Sequence, residues 1–178
     1  MIIVLFVATL LATPAFADNS GKGYIAADVG PTTYSSSIPL SNPIMAHIAG
    51  GYYFSPTLAV EVGYTKFSDA TANLTSGVVT ASFSSYHAVG IVSYPLNANF
   101  DLTGKLGASN NRSSTSATGT VVVLTPTTSK TSLMYGIGAQ YHLSPKVNIR
   151  AQYENYGDFF DNSNSALIST TLGVVYIF

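Results

Sequence analysis

The sequence predicts an all-β fold, an eight-stranded antiparallel transmembrane β-barrel with short periplasmic turns and long extracellular loops. Only 8% of the 178 residues are charged, whereas a soluble domain carries about 25%. Apolar and polar residues alternate at period two in segments separated by turn residues. Because no run of about 20 apolar residues follows the N-terminal segment, a membrane-embedded chain has to cross the bilayer with strands that close into a barrel.

The first 17 residues have the pattern of a signal peptide. An apolar run from Met1 to Ala12 precedes Ala15-Phe16-Ala17, the small-x-small motif at which signal peptidase cuts. We expect cleavage before Asp18, so that residues 18–178 form the barrel domain. The alternative is a short transmembrane anchor. The absence of Lys or Arg ahead of the apolar run departs from the usual signal peptide.

Eight segments alternate in this way along the rest of the chain. They are residues 23–31, 43–54, 58–67, 82–94, 100–109, 132–143, 147–156 and 167–178. The predicted tight turns are Ser55-Pro56-Thr57, Asn97-Ala98-Asn99 and Ser144-Pro145-Lys146, and the predicted long loops are residues 32–42, 68–81, 110–131 and 157–166. Short and long connections therefore alternate strictly, as in outer-membrane barrels. We expect the Ser/Thr-rich loop 110–131 to be separable from the fold.

Composition indicates which face of each strand meets lipid. The third segment places Leu58, Val60, Val62 and Tyr64 on one side and Ala59, Glu61, Gly63 and Thr65 on the other. A soluble lipocalin-like barrel has the same period with the faces reversed. Its outer polar face would carry many Lys and Glu residues, whereas the polar positions here are mostly Gly, Ser, Thr and Gln. The apolar face is therefore predicted to face outward, with Tyr residues at strand ends as an interfacial girdle.

Four charged residues occupy inward positions on odd-numbered segments: Glu61, Lys105, Arg150 and Glu154. Glu61 and Arg150 are each three residues past a strand start, and Lys105 is five past, so strand rise alone places them at similar depths. Paired carboxylates are also used in acid/base catalysis, but a filled interior gives a substrate no entry.

The histidines and possible catalytic groups give weaker signals. His47, His87 and His142 all have inward parity, but they lie on three strands without ligand spacing and at different depths, so we expect buried or rim histidines and no metal site. Ser85-Tyr86-His87 comes closest to the His/Ser groups of lipid A-modifying barrels, yet Ser85 and His87 share the inward face. We therefore expect no enzyme activity and no cofactor.

Several segments carry a family resemblance. They are Gly50-Gly51-Tyr52-Tyr53-Phe54-Ser55-Pro56, Glu61-Val62-Gly63-Tyr64, Tyr94-Pro95-Leu96, Gly104-Lys105-Leu106-Gly107, Tyr141-His142-Leu143-Ser144-Pro145, Arg150-Ala151-Gln152-Tyr153 and Leu172-Gly173-Val174-Val175-Tyr176-Ile177-Phe178. In this order they resemble the small OmpA-like outer-membrane barrels, including OmpX and NspA. The resemblance implies an interior charge network of Glu61, Lys105, Arg150 and Glu154, and a C-terminal aromatic, Phe178, that the assembly machinery reads.

The predicted function is structural or surface-interacting, through extracellular loops displayed on a barrel in the bacterial outer membrane. The expected partners are outer-membrane lipid and lipopolysaccharide, the assembly machinery, and a surface ligand or host partner. Seven Lys and Arg against eight Asp and Glu give no field that would attract nucleic acid. The alternatives are a narrow pore or small-solute transporter and, less favoured, a lipid A-modifying enzyme.

Overall fold

The computed structural model describes residues 19–34, 43–74, 77–119, 127–159 and 166–178, most of which lie in β-strands. The predicted signal segment, residues 1–17, lies outside these ranges. The strands are β1 (Gly23–Tyr34), β2 (Ile44–Tyr53), β3 (Leu58–Phe67), β4 (Ala70–Leu74), β5 (Gly77–Asn97), β6 (Phe100–Gly119), β7 (Thr127–His142), β8 (Val147–Asp158) and β9 (Ala166–Ile177). Within the described ranges, no helix is long and apolar enough to cross a membrane.

The strands close into one antiparallel barrel. Each strand pairs with the next along the chain except β3, which pairs with β5 instead of β4, and β9 pairs back with β1. Because β3 and β4 both pair with β5 and are separated only by Ser68 and Asp69, they form one interrupted barrel strand, and the barrel has eight strands. Closure pairs the backbone groups that an open sheet would leave without partners in lipid. The predicted fold class is confirmed.

Three tight turns lie at one end of the barrel, here called the turn end. They connect β2 to β3, β5 to β6 and β7 to β8, as predicted. Ser55 Oγ accepts a hydrogen bond from Leu58 N at 3.0 Å, and Ser144 Oγ accepts one from Val147 N at 3.1 Å. In both Ser-Pro turns the serine side chain thus satisfies a backbone donor that the turn leaves without a strand partner. Phe178 also lies at this end, where its backbone N donates to Gly23 O at 3.0 Å.

The strand bounds agree best with prediction where the chain alternates most strongly. β3 begins and ends as predicted, at Leu58 and Phe67. Two predicted loops are wrong in extent: residues 70–74 and 77–81 form a hairpin, and β6 and β7 pair continuously from Phe100↔Tyr141 to Ser114↔Thr127. The extension of β6 and β7 is rich in Ser, Thr and Asn and shows no apolar alternation, but its backbone pairs as a regular antiparallel ladder. Residues 121–124, an apolar run inside the predicted 110–131 loop, lie outside the described ranges.

The outer surface confirms the predicted faces. Outward residues such as Val62 (61% exposed) form an apolar belt, while their inward neighbours, such as Glu61 (1%), are buried. The belt ends where the outward residues become polar, between Tyr86 and Ser84, between Ala108 and Asn110, and between Leu133 and Thr131. Below this line β5, β6 and β7 run over residues 86–97, 100–108 and 133–142, close to the roughly 9 to 11 residues that a tilted transmembrane strand needs.

Beyond this line, β4 and residues 77–84 of β5, 110–119 of β6 and 127–131 of β7 form a paired extension that we call the ribbon. At a rise of about 3.3 Å per residue, the two longest strands extend roughly 25 to 33 Å past the belt. The end of the barrel that carries it is called the ribbon end.

Candidate functional site: a filled interior and a polar ribbon

A cluster of buried charges crosses the middle of the barrel. Lys105 Nζ donates to Glu61 Oε1 at 2.7 Å and to Glu154 Oε1 at 3.0 Å. Arg150 Nη1 donates to Glu61 Oε2 at 2.6 Å. The structure therefore brings together all four charged residues that the sequence singled out, because their strand positions place them at one depth and closure brings β3, β6 and β8 across a narrow interior.

Asp28 is a fifth member of this cluster that the sequence analysis missed. Arg150 donates two hydrogen bonds to the Asp28 carboxylate, from Nε to Oδ1 at 2.7 Å and from Nη2 to Oδ2 at 2.6 Å. Such a bidentate pair fixes orientation as well as charge. Asp28 lies on the inward face of β1, two residues after the buried Ala26, so strand parity was the signal that could have found it.

Two tyrosines also donate hydrogen bonds to the carboxylates of Glu61 and Glu154. Tyr24 Oη donates to Glu61 Oε2 at 3.0 Å, and Tyr156 Oη donates to Glu154 Oε2 at 3.2 Å. Both glutamates are 1% exposed. A buried charge is tolerated when it is paired and hydrogen-bonded, and here each carboxylate oxygen of both glutamates accepts at least one hydrogen bond.

The prediction that the three histidines lie at different depths is wrong for His47 and His87. His47 and His87 lie side by side, with ring centroids 5.0 Å apart, because they flank β3 on β2 and β5 and are paired there with Thr65 and Gly63. His47 Nδ1 also lies 2.6 Å from Asp28 Oδ2. The third histidine, His142, is separate at the turn end.

His142 belongs to a small polar group at the rim. Its Nε2 lies 2.9 Å from Asp101 Oδ2, and its Nδ1 lies 3.1 Å from Asn148 Oδ1. The prediction of a rim histidine is therefore correct for His142.

An apolar plug fills the barrel above the charges, towards the ribbon end. The ring of Phe67 meets the rings of Tyr156 and Phe159 edge to face at centroid distances of 5.7 Å and 5.6 Å, and Phe83 meets Phe159 at 5.6 Å. Aromatic rings prefer this geometry. Other fully buried apolar side chains in the interior are Met45, Met134 and Leu167. A charged layer and an apolar layer thus occupy successive sections of the lumen.

Ser85 and His87 do not form a catalytic pair. Both are buried on the inward face, but Ser85 Oγ donates to Asn111 Oδ1 at 2.7 Å. The serine hydroxyl is thereby engaged with an amide that cannot act as a general base. This geometry gives no activated nucleophile at the position where the sequence came closest to an enzyme motif.

Asn111 ties the base of the ribbon to the barrel wall. Its Nδ2 donates to the backbone carbonyls of Tyr156 at 2.7 Å and Asp158 at 3.1 Å. The ladder between β8 and β9 shifts register between Asn155 and Asp158, so these carbonyls lie at a local irregularity. Ser109 Oγ also donates to Tyr156 O, at 2.6 Å. The predicted loop therefore begins with residues that belong to the packed interior.

The outward face of the ribbon is polar and hydrogen-bonded across strands. Ser129 Oγ donates to Asn110 Oδ1 at 3.0 Å, and Asn110 Nδ2 donates to Thr131 Oγ1 at 3.1 Å. Arg112 and Ser114 are exposed on the same face. This surface continues the barrel wall with side chains suited to water and to hydrogen-bonding partners.

Phe178 is exposed on the outer surface of the turn end, with its ring 5.6 Å from that of Tyr176. Its predicted role as an assembly signal stays a prediction.

An apolar outer belt of membrane height, a polar filled interior and closed antiparallel pairing define an integral membrane β-barrel. Residues 3–178 match the family model described as the outer membrane protein beta-barrel domain. The chain belongs to this family, and the suspected resemblance is confirmed. The turn end is accordingly periplasmic and the ribbon end extracellular.

Solved structures show the same fold. Neisserial surface protein A (NspA) is 20% identical over 88% of this chain and 97% of its own, with a TM-score of 0.72. Ail, the attachment invasion locus protein of Yersinia pestis, is 21% identical over 89% and 99%, with a TM-score of 0.62. OprG of Pseudomonas aeruginosa is 13% identical over 89% and 96%, with a TM-score of 0.54. A search of the curated proteins finds no match.

Proposed function

We propose that this protein acts at the bacterial surface, where a rigid barrel displays the ribbon and its connections to a surface ligand or host partner. The observation that carries the proposal is the two-layered filling of the lumen, with five paired charges below an aromatic plug. Eight strands enclose an interior only wide enough for side chains. This filling favours a function on the surfaces outside the barrel, and among the described residues the ribbon extends furthest past the belt.

The alternatives are less well supported by the same residues. A pore for small solutes would need a path through both layers, and opening one would break buried ion pairs at a cost of several kcal/mol, on the order of 3 to 5 for each partner removed. An enzyme acting on lipid would need an activated nucleophile facing the membrane, whereas Ser85 and His87 face inward.

The charge of the extracellular part narrows the class of partner. Ail has been solved in complex with the heparin analogue sucrose octasulfate. In this chain, by contrast, the described cations beyond the belt, Lys66, Arg112 and Lys130, are accompanied by the acids Asp69 and Asp158, and the sequence between β8 and β9 adds Asp161. Such a balanced surface does not favour a polyanion, and its hydroxyl and amide groups favour a neutral, hydrogen-bonding partner.

Export, assembly and lipid contact complete the proposal. Residues 1–17 direct the chain across the inner membrane, the assembly machinery reads Phe178, and outer-membrane lipid and lipopolysaccharide surround the belt. The exposed ring of Phe178 at the periplasmic end supports the second of these roles, because it is accessible on the outer surface.

The test compares cells that express the whole protein with cells that express a variant in which an Asn-Gly turn replaces residues 115–126. Both are applied to a glycan array and to a panel of extracellular-matrix proteins, with cells lacking the protein as the reference. We expect binding above the reference for the whole protein and its loss in the variant at equal surface abundance. Binding that survives the replacement, or no binding above the reference, would contradict the proposal.

A further inference from the structure

Two buried imidazoles in the barrel interior have unused nitrogens that converge on one point. Among the described residues, His47 Nε2 and both ring nitrogens of His87 have no hydrogen-bond partner. His47 is 2% exposed and His87 5%. Buried polar atoms are almost always satisfied, so three orphaned nitrogens in one place indicate a ligand that the protein chain does not itself supply.

Gly63 marks the point on which these nitrogens converge. A Cβ atom built on Gly63 would lie 2.6 Å from His47 Nε2 and 2.7 Å from His87 Nε2. Glycine at this inward position leaves room for one atom between the two rings. An ion bound by imidazole sits about 2.0 to 2.1 Å from each nitrogen, so a small ring movement converts this space into a coordination site.

The surroundings of the histidines are those of metal ligands. His47 Nδ1 lies 2.6 Å from Asp28 Oδ2, and a ligating histidine usually donates its other N–H to a carboxylate, which leaves the lone pair on Nε2. A carboxylate oxygen of Glu61 and one nitrogen from each ring all lie within 4.8 Å of one another. Glu61 accepts three hydrogen bonds, and a carboxylate has about four acceptor positions, so one remains.

The charge of this layer also favours a cation. Asp28, Glu61 and Glu154 are three carboxylates facing the two cations Lys105 and Arg150. We propose that His47 and His87, with Glu61 as the third ligand, bind one transition-metal ion of the kind that prefers imidazole, with Zn²⁺ as its representative. Such an ion would use two of the three orphaned nitrogens, His47 Nε2 and one nitrogen of His87, and offset the surplus negative charge.

Zinc retention tests the site directly. Untagged protein purified from outer membranes is loaded with ZnCl₂, dialysed against metal-free buffer and measured for bound zinc, with MgCl₂ loading in parallel. We expect about one zinc ion per barrel and no retained magnesium, because Mg²⁺ prefers oxygen ligands. A wild-type barrel that retains no zinc would overturn the proposal.

Three variants separate the site from adventitious binding. His87→Leu removes an unpartnered ring, and Gly63→Ala keeps both histidines but fills the point between them; each should lower zinc retention at least tenfold. His142→Asn, a histidine outside the site, is the matched control and should retain wild-type zinc. Equal retention by His87→Leu and wild type would also overturn the proposal.

A second readout checks the same site through stability. Zinc should raise the urea midpoint of unfolding for wild type and His142→Asn and leave that of His87→Leu unchanged, since a ligand that binds only the native state stabilises it. Heat-modifiable mobility on gels verifies that each variant is folded before its zinc is measured. His87→Leu decides the question even where Gly63→Ala fails to fold.

Discussion

Val62 tests, at the scale of one residue, which face of the wall meets lipid. Its side chain is exposed in the middle of the outward face of β3. Replacing it with Arg should lower the free energy of unfolding by about 2 to 4 kcal/mol, the cost of a cation near the bilayer midplane. The measurement is a urea titration of protein refolded into lipid vesicles.

Ser114→Arg is the control for this substitution. Ser114 is also exposed and outward, but it lies on the ribbon beyond the belt. Its replacement should change stability by no more than about 0.5 kcal/mol. Equal effects at Val62 and Ser114 would contradict the assignment of the belt.

Arg150 holds the interior charges together. It contacts both Asp28 and Glu61, so Arg150→Met leaves Asp28 without its main partner and should cost about 3 to 5 kcal/mol in the same titration. Asp28→Asn combined with Arg150→Met should cost less than the sum of the two single changes. Strict additivity would show that the pair is not coupled.

Glu61→Gln is the comparison variant for Arg150→Met, because the two cations that contact Glu61 each keep another carboxylate partner. Arg150 retains Asp28, and Lys105 retains Glu154. Removal of Glu61 should therefore cost less than removal of Arg150. The sequence alone did not predict that these two removals differ in cost, because Asp28 was not among the four charged residues that it singled out.

The sequence could predict which residues face inward but not their partners across the barrel. Parity placed Glu61, Arg150 and His87 inside correctly. Which of them meet depends on the shear between strands, and shear is a property of closure rather than of any one segment. For that reason the Asp28–Arg150 pair was missed and the histidines His47 and His87 were expected to lie apart.

At the scale of elements, the ribbon is the part of the fold that the alternation of apolar and polar residues did not predict. Strands with one face in lipid alternate clearly, so β3 was predicted with its observed ends. Beyond the belt β6 is rich in Ser, Thr and Asn at both odd and even positions. Its hydrophobicity therefore shows no period of two. The 110–131 stretch therefore looked like a loop although much of it pairs.

The ribbon should divide into a dispensable tip and a structural base. Ser114 and Thr127 are direct partners, so an Asn-Gly turn in place of residues 115–126 closes a hairpin at a natural register. This variant should insert and keep near wild-type stability. Heat-modifiable mobility and a urea titration measure both properties.

A longer cut, with the same turn in place of residues 110–131, joins the partners Ser109 and Ser132 and removes Asn111. The carbonyls of Tyr156 and Asp158 then lose one donor each but keep Ser109 Oγ and Ser132 Oγ. The buried hydroxyl of Ser85 loses the acceptor that Asn111 provides, at a cost of about 1 to 3 kcal/mol. We expect this variant to be less stable than the shorter cut by a comparable amount. Equal stability of the two variants would mean that the ribbon base is not part of the fold.

At the scale of the whole molecule, the apolar belt and the filled lumen follow from one alternation. Outward apolar residues match the membrane, and inward residues have to satisfy one another in an interior only wide enough for side chains. In the middle of the barrel the inward residues pair as opposite charges, and near the extracellular end they pack as an aromatic plug. Both layers fill the lumen with side chains, which supports the proposal that the surfaces outside it meet the partner.

Single-channel recording tests this central claim most directly. Purified protein is inserted into a planar lipid bilayer, a known porin verifies that insertion is detected, and Phe83→Ala reports on the plug. The filled interior predicts no discrete conductance steps from the wild-type barrel. Reproducible wild-type steps that grow in Phe83→Ala would identify the lumen as an open path and contradict the account.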